Sequence, residues 1–345
     1  MAGSVRSSIR PSSFNTIRMM TSFDLVGVGS PIIDTLTRVP DAFLQEVGGE
    51  KGGMVLTDAE TLHHWIAKVP NALTESPGGS AGNTTFAAAH LGLATTFVGK
   101  IGNDDGGHFY KGQLAALGGD TSRFKTGLVP NGRCVSLITP DSQRTLRTNL
   151  GAAATLSPSE ICSADFIGCR HAHIEGYLLF NPDLMMAVLT AAKDAGCTIS
   201  LDLASFEVVH AARDQIGDIL DRYVDMVFAN EDESAAWCGK EPSLEERARI
   251  LAGQNRIGVV KAGADGAWLA HQDTVFHRNA IPGIQAIDTT GAGDFWAAGF
   301  LAAWLKGKSL PTCVDWGARL GAEIVQVIGT QLPAQTWTLL KSELV

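Results

Sequence analysis

The sequence predicts an α/β fold in which a central, mostly parallel sheet is flanked by helices and carries a small β-sheet lid. Three observations support this expectation. From residue 23 onward, short apolar bursts alternate with amphipathic stretches, the rhythm of strands buried on both faces and covered by helices. Two segments, 35–57 and 126–150, break that rhythm with alternating stretches such as RCVSLITP and RTLRTNL, and so read as strands of a separate small sheet. A chain of 345 residues, 45% hydrophobic and 18% charged, is long enough to bury one large core bearing such an appendage.

Taken in order, FDLVGVGS at 23–30 is the first buried strand, ending in glycines. Further strands are expected at 95–101 (TTFVGKI), 171–178 (HAHIEGYL), 198–203 (TISLDL), 225–230 (DMVFAN), 256–263 (RIGVVKAG) and 266–271 (GAWLAH). Helices are expected at 80–91, 106–117, 182–195, 231–238, 243–253, 292–305 and 311–328. Residues 1–22 stand apart from this domain at 23–345. The first twenty hold Arg6, Arg10 and Arg18, several serines and no acid, which suits either an organellar transit peptide or an upstream start with Met19 or Met20 as the initiator.

Charge and cysteine content exclude several classes of partner. With 27 Lys and Arg against 36 Asp and Glu, the net charge of -9 offers no basic footprint for nucleic acid or an anionic membrane. Any anion site must therefore be built locally. No run approaches the roughly 18 apolar residues of a membrane span. Six scattered cysteines without a CxxC pair read as reduced, structural thiols in a cytoplasmic protein, and no metal-like spacing is present.

Two glycine-rich turns carry the chemistry. In DTTGAGDFWAAGF, at 288–300, a turn of small residues feeds an apolar helix. Consecutive backbone N–H groups at Gly291, Ala292 and Gly293, at a helix N-terminus, form a concave donor site for an anion. Asp294, on the first turn, is placed either to cap the helix or to act as general base toward a hydroxyl attacking a phosphoryl group. The second turn, SPGGSAGNTTFAAAHLGL at 76–93, sets two glycines, Ser80 and Asn83 at the mouth of another helix. There is no GxxxxGK[ST] loop, and GVGSPI at 27–32 lacks the third glycine of a dinucleotide fingerprint.

These two turns, in this order, give the chain its resemblance to the ribokinase-like family of carbohydrate and nucleoside kinases, also called the PfkB family. Asp288-Thr289-Thr290-Gly291-Ala292-Gly293-Asp294 resembles the family's carboxy-terminal signature. Gly78-Gly79-Ser80-Ala81-Gly82-Asn83, running on to the glycines and acids at 99–107, resembles its amino-terminal one. Asn230-Glu231-Asp232-Glu233 is similar to its Asn-x-x-Glu motif, and the stretch from Lys261 to Gly266 to its nucleotide-facing Gly-x-x-Gly turn.

The resemblance implies ATP-dependent phosphoryl transfer to the primary hydroxyl of a sugar or nucleoside. It implies that Asp294 deprotonates that hydroxyl while the amides of Gly291, Ala292 and Gly293 stabilise the transferred γ-phosphoryl. Asp34, Gly79, Ser80 and Asn83 would bind the acceptor, and Asn230, Lys261, Gly263 and Gly266 the nucleotide. Asn230 and Glu233 would hold Mg²⁺ through water, although the same two residues are good helix-capping sequence. Asp288 and the Thr290 carbonyl match a monovalent cation site, K⁺, of some relatives. The long insertion at 41–60 and the stretch at 134–153 are similar to the adenosine-kinase-like branch, which makes adenosine the leading acceptor and a free sugar the second. A silent sugar- or nucleoside-binding regulator is the alternative outside catalysis. Met54, Leu56, Tyr177 and Leu178 either cover a purine or pack the core, and Arg133, Arg144 and Arg147 either close over phosphates or face solvent. A homodimer through the lid is the one protein partner implied.

Overall fold

The computed structural model describes residues 23–48, 51, 53–69, 74–140 and 144–345, so the leader at 1–22 lies outside the described residues. The first half of the chain runs β1 (Phe23–Val28), β2 (Ile33–Arg38), α1 (Asp41–Val47), β3 (Met54–Leu56), α2 (Ala59–Lys68), β4 (Thr74–Pro77), α3 (Ser80–His90), β5 (Thr95–Val98), β6 (Lys100–Gly102), α4 (Asp105–Ala116), β7 (Lys125–Gly127), β8 (Asn131–Ile138) and β9 (Arg144–Gly151). The second half runs β10 (Cys169–Glu175), α5 (Pro182–Asp194), β11 (Thr198–Asp202), α6 (Phe206–Ala211), α7 (Arg213–Tyr223), β12 (Met226–Asn230), α8 (Glu231–Cys238), α9 (Leu244–Ala252), β13 (Ile257–Lys261), β14 (Ala267–His271), β15 (Thr274–Arg278), α10 (Ala292–Leu305), α11 (Leu310–Ile324) and α12 (Ala334–Leu344).

Eight strands form the central sheet in the order β15-β14-β13-β12-β11-β10-β1-β5. The six from β13 to β5 pair parallel, and β14 and β15 close the far edge antiparallel. Strands such as β12 and β13 read as nearly continuous apolar runs because helices cover both faces, whereas β10 carries His171 and His173, both buried. One apolar layer lies under α5, α7 and α9 and includes Val188, Ile219 and Leu251. The other lies under α3, α10, α11 and α12 and includes Phe228, Phe300 and Leu320. The expected α/β class is thus the observed one.

The small second sheet is also present, in the order β3-β9-β8-β2-β4. Its make-up differs from the expectation. Segment 35–57 was expected as strand, yet it contains α1, whose Phe43 and Val47, four residues apart, bury against the lid. The lid continues past residue 57 through α2, capped by Asp58 accepting from the Thr61 amide (2.8 Å), to β4.

Elsewhere the helices α6, α7 and α12 were not foreseen, and α11 stops at Ile324 rather than 328. Residues 95–101 divide into β5 and β6 at Gly99, where a Cβ would come 2.5 Å from the Gly29 carbonyl oxygen. No helix among the described residues is long and apolar enough to cross a membrane.

Candidate active site

Parallel strands end together, and what ends them here is polar. Glu175 closes β10, Asp202 closes β11, Asn230 closes β12 and Lys261 closes β13. Strand β1 lies between β5 and β10, so successive crossovers leave it in opposite directions and open a crevice at these carboxyl ends. The crevice is a cleft of about 1680 Å³. A single small-molecule pocket typically holds about 300–1,000 Å³, so this one has room for two ligands side by side.

At its centre the two glycine-rich turns meet. Asp294 accepts hydrogen bonds from the Ser80 hydroxyl (2.8 Å) and from the Asn83 side-chain amide (2.8 Å), residues more than 200 positions earlier. The Thr84 hydroxyl donates to the Asp294 backbone carbonyl (3.1 Å). Asp294 therefore does not cap its own helix. Burial pushes its carboxyl up to about 6, with nearby Asp202 adding to the rise, while the Asn83 and Ser80 bonds and Lys261 oppose it.

The loop before it departs from the expected cradle of three amides. Gly291 takes the left-handed conformation (φ 72°), and the Ala292 N–H turns inward to donate to the Thr289 carbonyl (3.1 Å). Gly291 and Gly293 line the cleft on either side of Ala292. A cation stands next to the loop: a Cβ on Gly293 would lie 2.9 Å from the Lys261 ammonium. Asp288 holds the loop from below, its carboxylate accepting from the Thr290 amide (3.0 Å) and the Gly329 amide (2.7 Å).

Lys261 is anchored by Asp202 at 2.7 Å, an ion pair with little solvent exposure on either side. The other Asp202 oxygen accepts from the amide of Ala204 (3.0 Å), a non-glycine residue held at φ 65°. Sequence reasoning named Lys261 but missed Asp202. Glu233 folds back on its own helix, accepting from the Asn230 amide (2.7 Å) and side chain (2.8 Å) while its amide donates to Asn230 Oδ1 (2.8 Å). This is a capping box, which takes one bond on each carboxylate oxygen and leaves further acceptor capacity facing the cleft that both residues line. Burial, then Asp202, push Glu233 up to about 7.

Three carboxylates, Asp202, Glu233 and Asp294, thus surround one ammonium, a surplus of negative charge where anionic phosphates would sit. That imbalance is of the sign that would suit a divalent cation arriving with the phosphates.

On the acceptor side, Glu175 is buried beneath the turn, accepting from the Ser30 amide (2.8 Å) and the Ala81 amide (3.3 Å). Burial pushes it up to about 7. Sequence reasoning missed this residue too. Asp34 packs its carboxyl against the α-carbon of Gly78, while its neighbours Ile32, Gly79 and Ser80 form the cleft surface. Leu56, Leu146, Leu150, Tyr177, Leu178 and Phe180 give the cleft lining its apolar wall. The side chains of Met54 and Arg144 lie outside the described residues.

Arg133 and Arg147 do not close over the cleft. The first bonds Glu75 and Thr35, and the second is buried against the backbone carbonyls of Gly48 and Leu146. Gly263 and Gly266, both at positive φ (50° and 91°), turn the chain along the far end of the cleft.

A family model described as pfkB family carbohydrate kinase matches residues 54–337. The chain belongs to the pfkB family of carbohydrate kinases, and it is a kinase. It is 27% identical to an adenosine kinase of Schizosaccharomyces pombe over 337 residues, 91% of this chain and 97% of that one. It is 29% identical to an ATP-dependent ribose-1-phosphate kinase of Halopiger xanaduensis, over 72% of this chain and 80% of the relative. Among solved structures of this family, an adenosine kinase from Sinorhizobium meliloti superposes with a TM-score of 0.82 at 28% identity, covering 93% of this chain and 99% of that one. A probable sugar kinase from Rhizobium etli CFN 42 superposes at 0.84 and 29% identity, covering 94% and 100%.

Proposed function

We propose that this kinase transfers the γ-phosphoryl group of ATP to the primary hydroxyl of a nucleoside, with adenosine as the acceptor the site supports best. The observation that carries the transfer is Asp294, held between Ser80 and Asn83 where the acceptor turn meets the anion loop. A binding regulator needs no proton acceptor at that junction. The observation that favours a nucleoside is the apolar wall from Leu56 to Phe180, which has no ribose hydroxyl to serve but matches the face of a purine.

In this reading Asp294 accepts the proton of the attacking hydroxyl as its oxygen bonds to the γ-phosphorus and the bridging P–O bond breaks, releasing ADP. The Gly291 and Gly293 amides and the Lys261 ammonium donate to the transferred oxygens. Asp202 keeps Lys261 aimed at them. Asn230, Gly263 and Gly266 line the nucleotide's end of the cleft. Mg²⁺ bound with the nucleotide would neutralise phosphate charge, with Glu233 and Asn230 reaching it through water.

A free-sugar acceptor is the second reading, favoured by the likeness to a ribose-1-phosphate kinase and to a probable sugar kinase. A monovalent cation beside Asp288 and the Thr290 carbonyl, a cytoplasmic setting for the free cysteines, and a homodimer paired through the lid belong to the same proposal. The test is ADP release by purified protein with adenosine, other nucleosides, ribose and fructose in parallel, with and without K⁺. Turnover on adenosine at micromolar concentration supports the reading. Preference for a free sugar replaces it with the second, and silence on all acceptors despite ATP binding favours a regulator.

A further inference from the structure

Two glycines in succession, Gly78 and Gly79, give the acceptor turn more backbone freedom than any other dipeptide would. Something outside the turn must therefore set its shape. Gly79 sits at φ 83° with no side-chain cap on the helix it starts. The Gly78 N–H donates to the Ile32 carbonyl (2.8 Å). Its carbonyl is held by Tyr110 of α4, whose hydroxyl donates to it at 3.1 Å.

Tyr110 is fully buried, packed edge-on against Phe86 (5.4 Å between centroids) and Phe124 (5.9 Å). Its hydroxyl fills the space that Gly82 leaves on α3, where any Cβ would overlap it.

We propose that Tyr110 is a positioning residue for the acceptor: its hydroxyl fixes the Gly78 peptide, and through it the placement of Asp34 and Ser80, and Gly82 is glycine to admit that hydroxyl. The path is short. Gly78 packs directly on the Asp34 carboxyl, and two residues later Ser80 donates to Asp294. A buried hydroxyl and a buried carbonyl that lose each other each leave a polar group unpaired. That cost falls on a turn with almost no stiffness of its own. The acceptor half of this inference rests on the functional reading above, whereas the loop geometry does not.

The experiment compares wild type, Tyr110→Phe, Gly82→Ala and the double variant. Tyr110→Phe keeps the ring and removes only the bond to Gly78. It is expected to raise the acceptor KM roughly five- to tenfold and to lower kcat by less, through the looser Ser80, with the ATP KM within about twofold. Amide exchange at 78–81 should quicken by about the same factor, with the central sheet unchanged. Gly82→Ala should impair acceptor binding more than Tyr110→Phe does, and the double variant should return to the Tyr110→Phe level because the methyl group then enters vacated space.

Unchanged exchange at 78–81 in Tyr110→Phe overturns the proposal. So does Gly82→Ala damage of equal size in both backgrounds. Should wild type phosphorylate no acceptor, the functional reading falls, and the exchange experiment still decides the role of Tyr110.

Discussion

Asp294 has what a proton acceptor needs near neutrality: a carboxyl raised to about 6 by burial and two donors that fix its orientation. Catalysis requires its ionised form, so activity is expected to fall as pH drops through this value, by about tenfold per unit below it. Glu175 and Glu233, each at about 7, interact with Asp294, so the acid limb of kcat/KM should show an apparent pKa between about 6 and about 7. A limb centred near 4 would contradict the burial argument. Stability carries the opposite sign. Each of these carboxyls binds its proton more tightly folded than unfolded, so the stabilisation is present below about 4 and lost as pH rises through about 7. Denaturant midpoints of wild type should therefore fall from pH 5 to pH 8 more steeply than those of Glu175→Gln.

Lys261 and Asp202 offer a second test at this scale. Lys261→Met is expected to lower kcat by about 10²–10³. If Asp202 acts through Lys261, Asp202→Asn should lower kcat in wild type yet add little in the Lys261→Met background. Independent, additive losses would show that Asp202 has another task.

At the scale of elements, the anion loop depends on how closely α10 approaches α11. A Cβ on Gly299 would overlap the Trp316 carbonyl, and one on Gly317 would lie 2.8 Å from the Trp296 ring. Gly299→Ala is expected to destabilise the fold by about 1–3 kcal/mol, measured by denaturant titration, because the overlap is with backbone that cannot step aside. No loss of stability would mean the two helices separate at little cost.

The parallel strands and α10 could be read from sequence because both are long apolar runs. Helices α6 and α7 were missed although Ser205 caps the first, its hydroxyl accepting from the Val208 amide (3.3 Å), because α6 spans only six residues and α7 follows it almost at once. Short α1 was taken for strand because seven residues show barely two turns of periodicity. Glu175 and Asp202 escaped for a different reason. Each is a single acid ending a buried strand, in HIEGY and ISLDL, and only the parallel register of β10 and β11 sets them side by side. An acid closing an apolar run was the available signal.

For the molecule as a whole, the cleft lies between the carboxyl ends of the central sheet and the lid, and the lid supplies much of the apolar wall. Leu56 of β3 lines the cleft yet is 61% exposed, so a ligand would cover it. Leu56→Ser is expected to raise the KM for adenosine about tenfold, from lost apolar burial, while a free sugar is unaffected. Equal effects on both acceptors would remove the wall from base recognition. Both glycine motifs were visible in the sequence, and their meeting at Asp294 was implied only by resemblance. The closeness of the Lys261 ammonium to Gly293 became visible only in three dimensions, because it joins the end of β13 to the start of α10.

The central claim is that Asp294 takes the proton of the acceptor hydroxyl. The direct measurement is turnover of Asp294→Asn on the acceptor that wild type phosphorylates best, alongside calorimetric binding of that acceptor and of ATP. Loss of kcat by about 10³ or more with both affinities within a few-fold of wild type is the predicted result. Near-normal turnover by Asp294→Asn would contradict the mechanism.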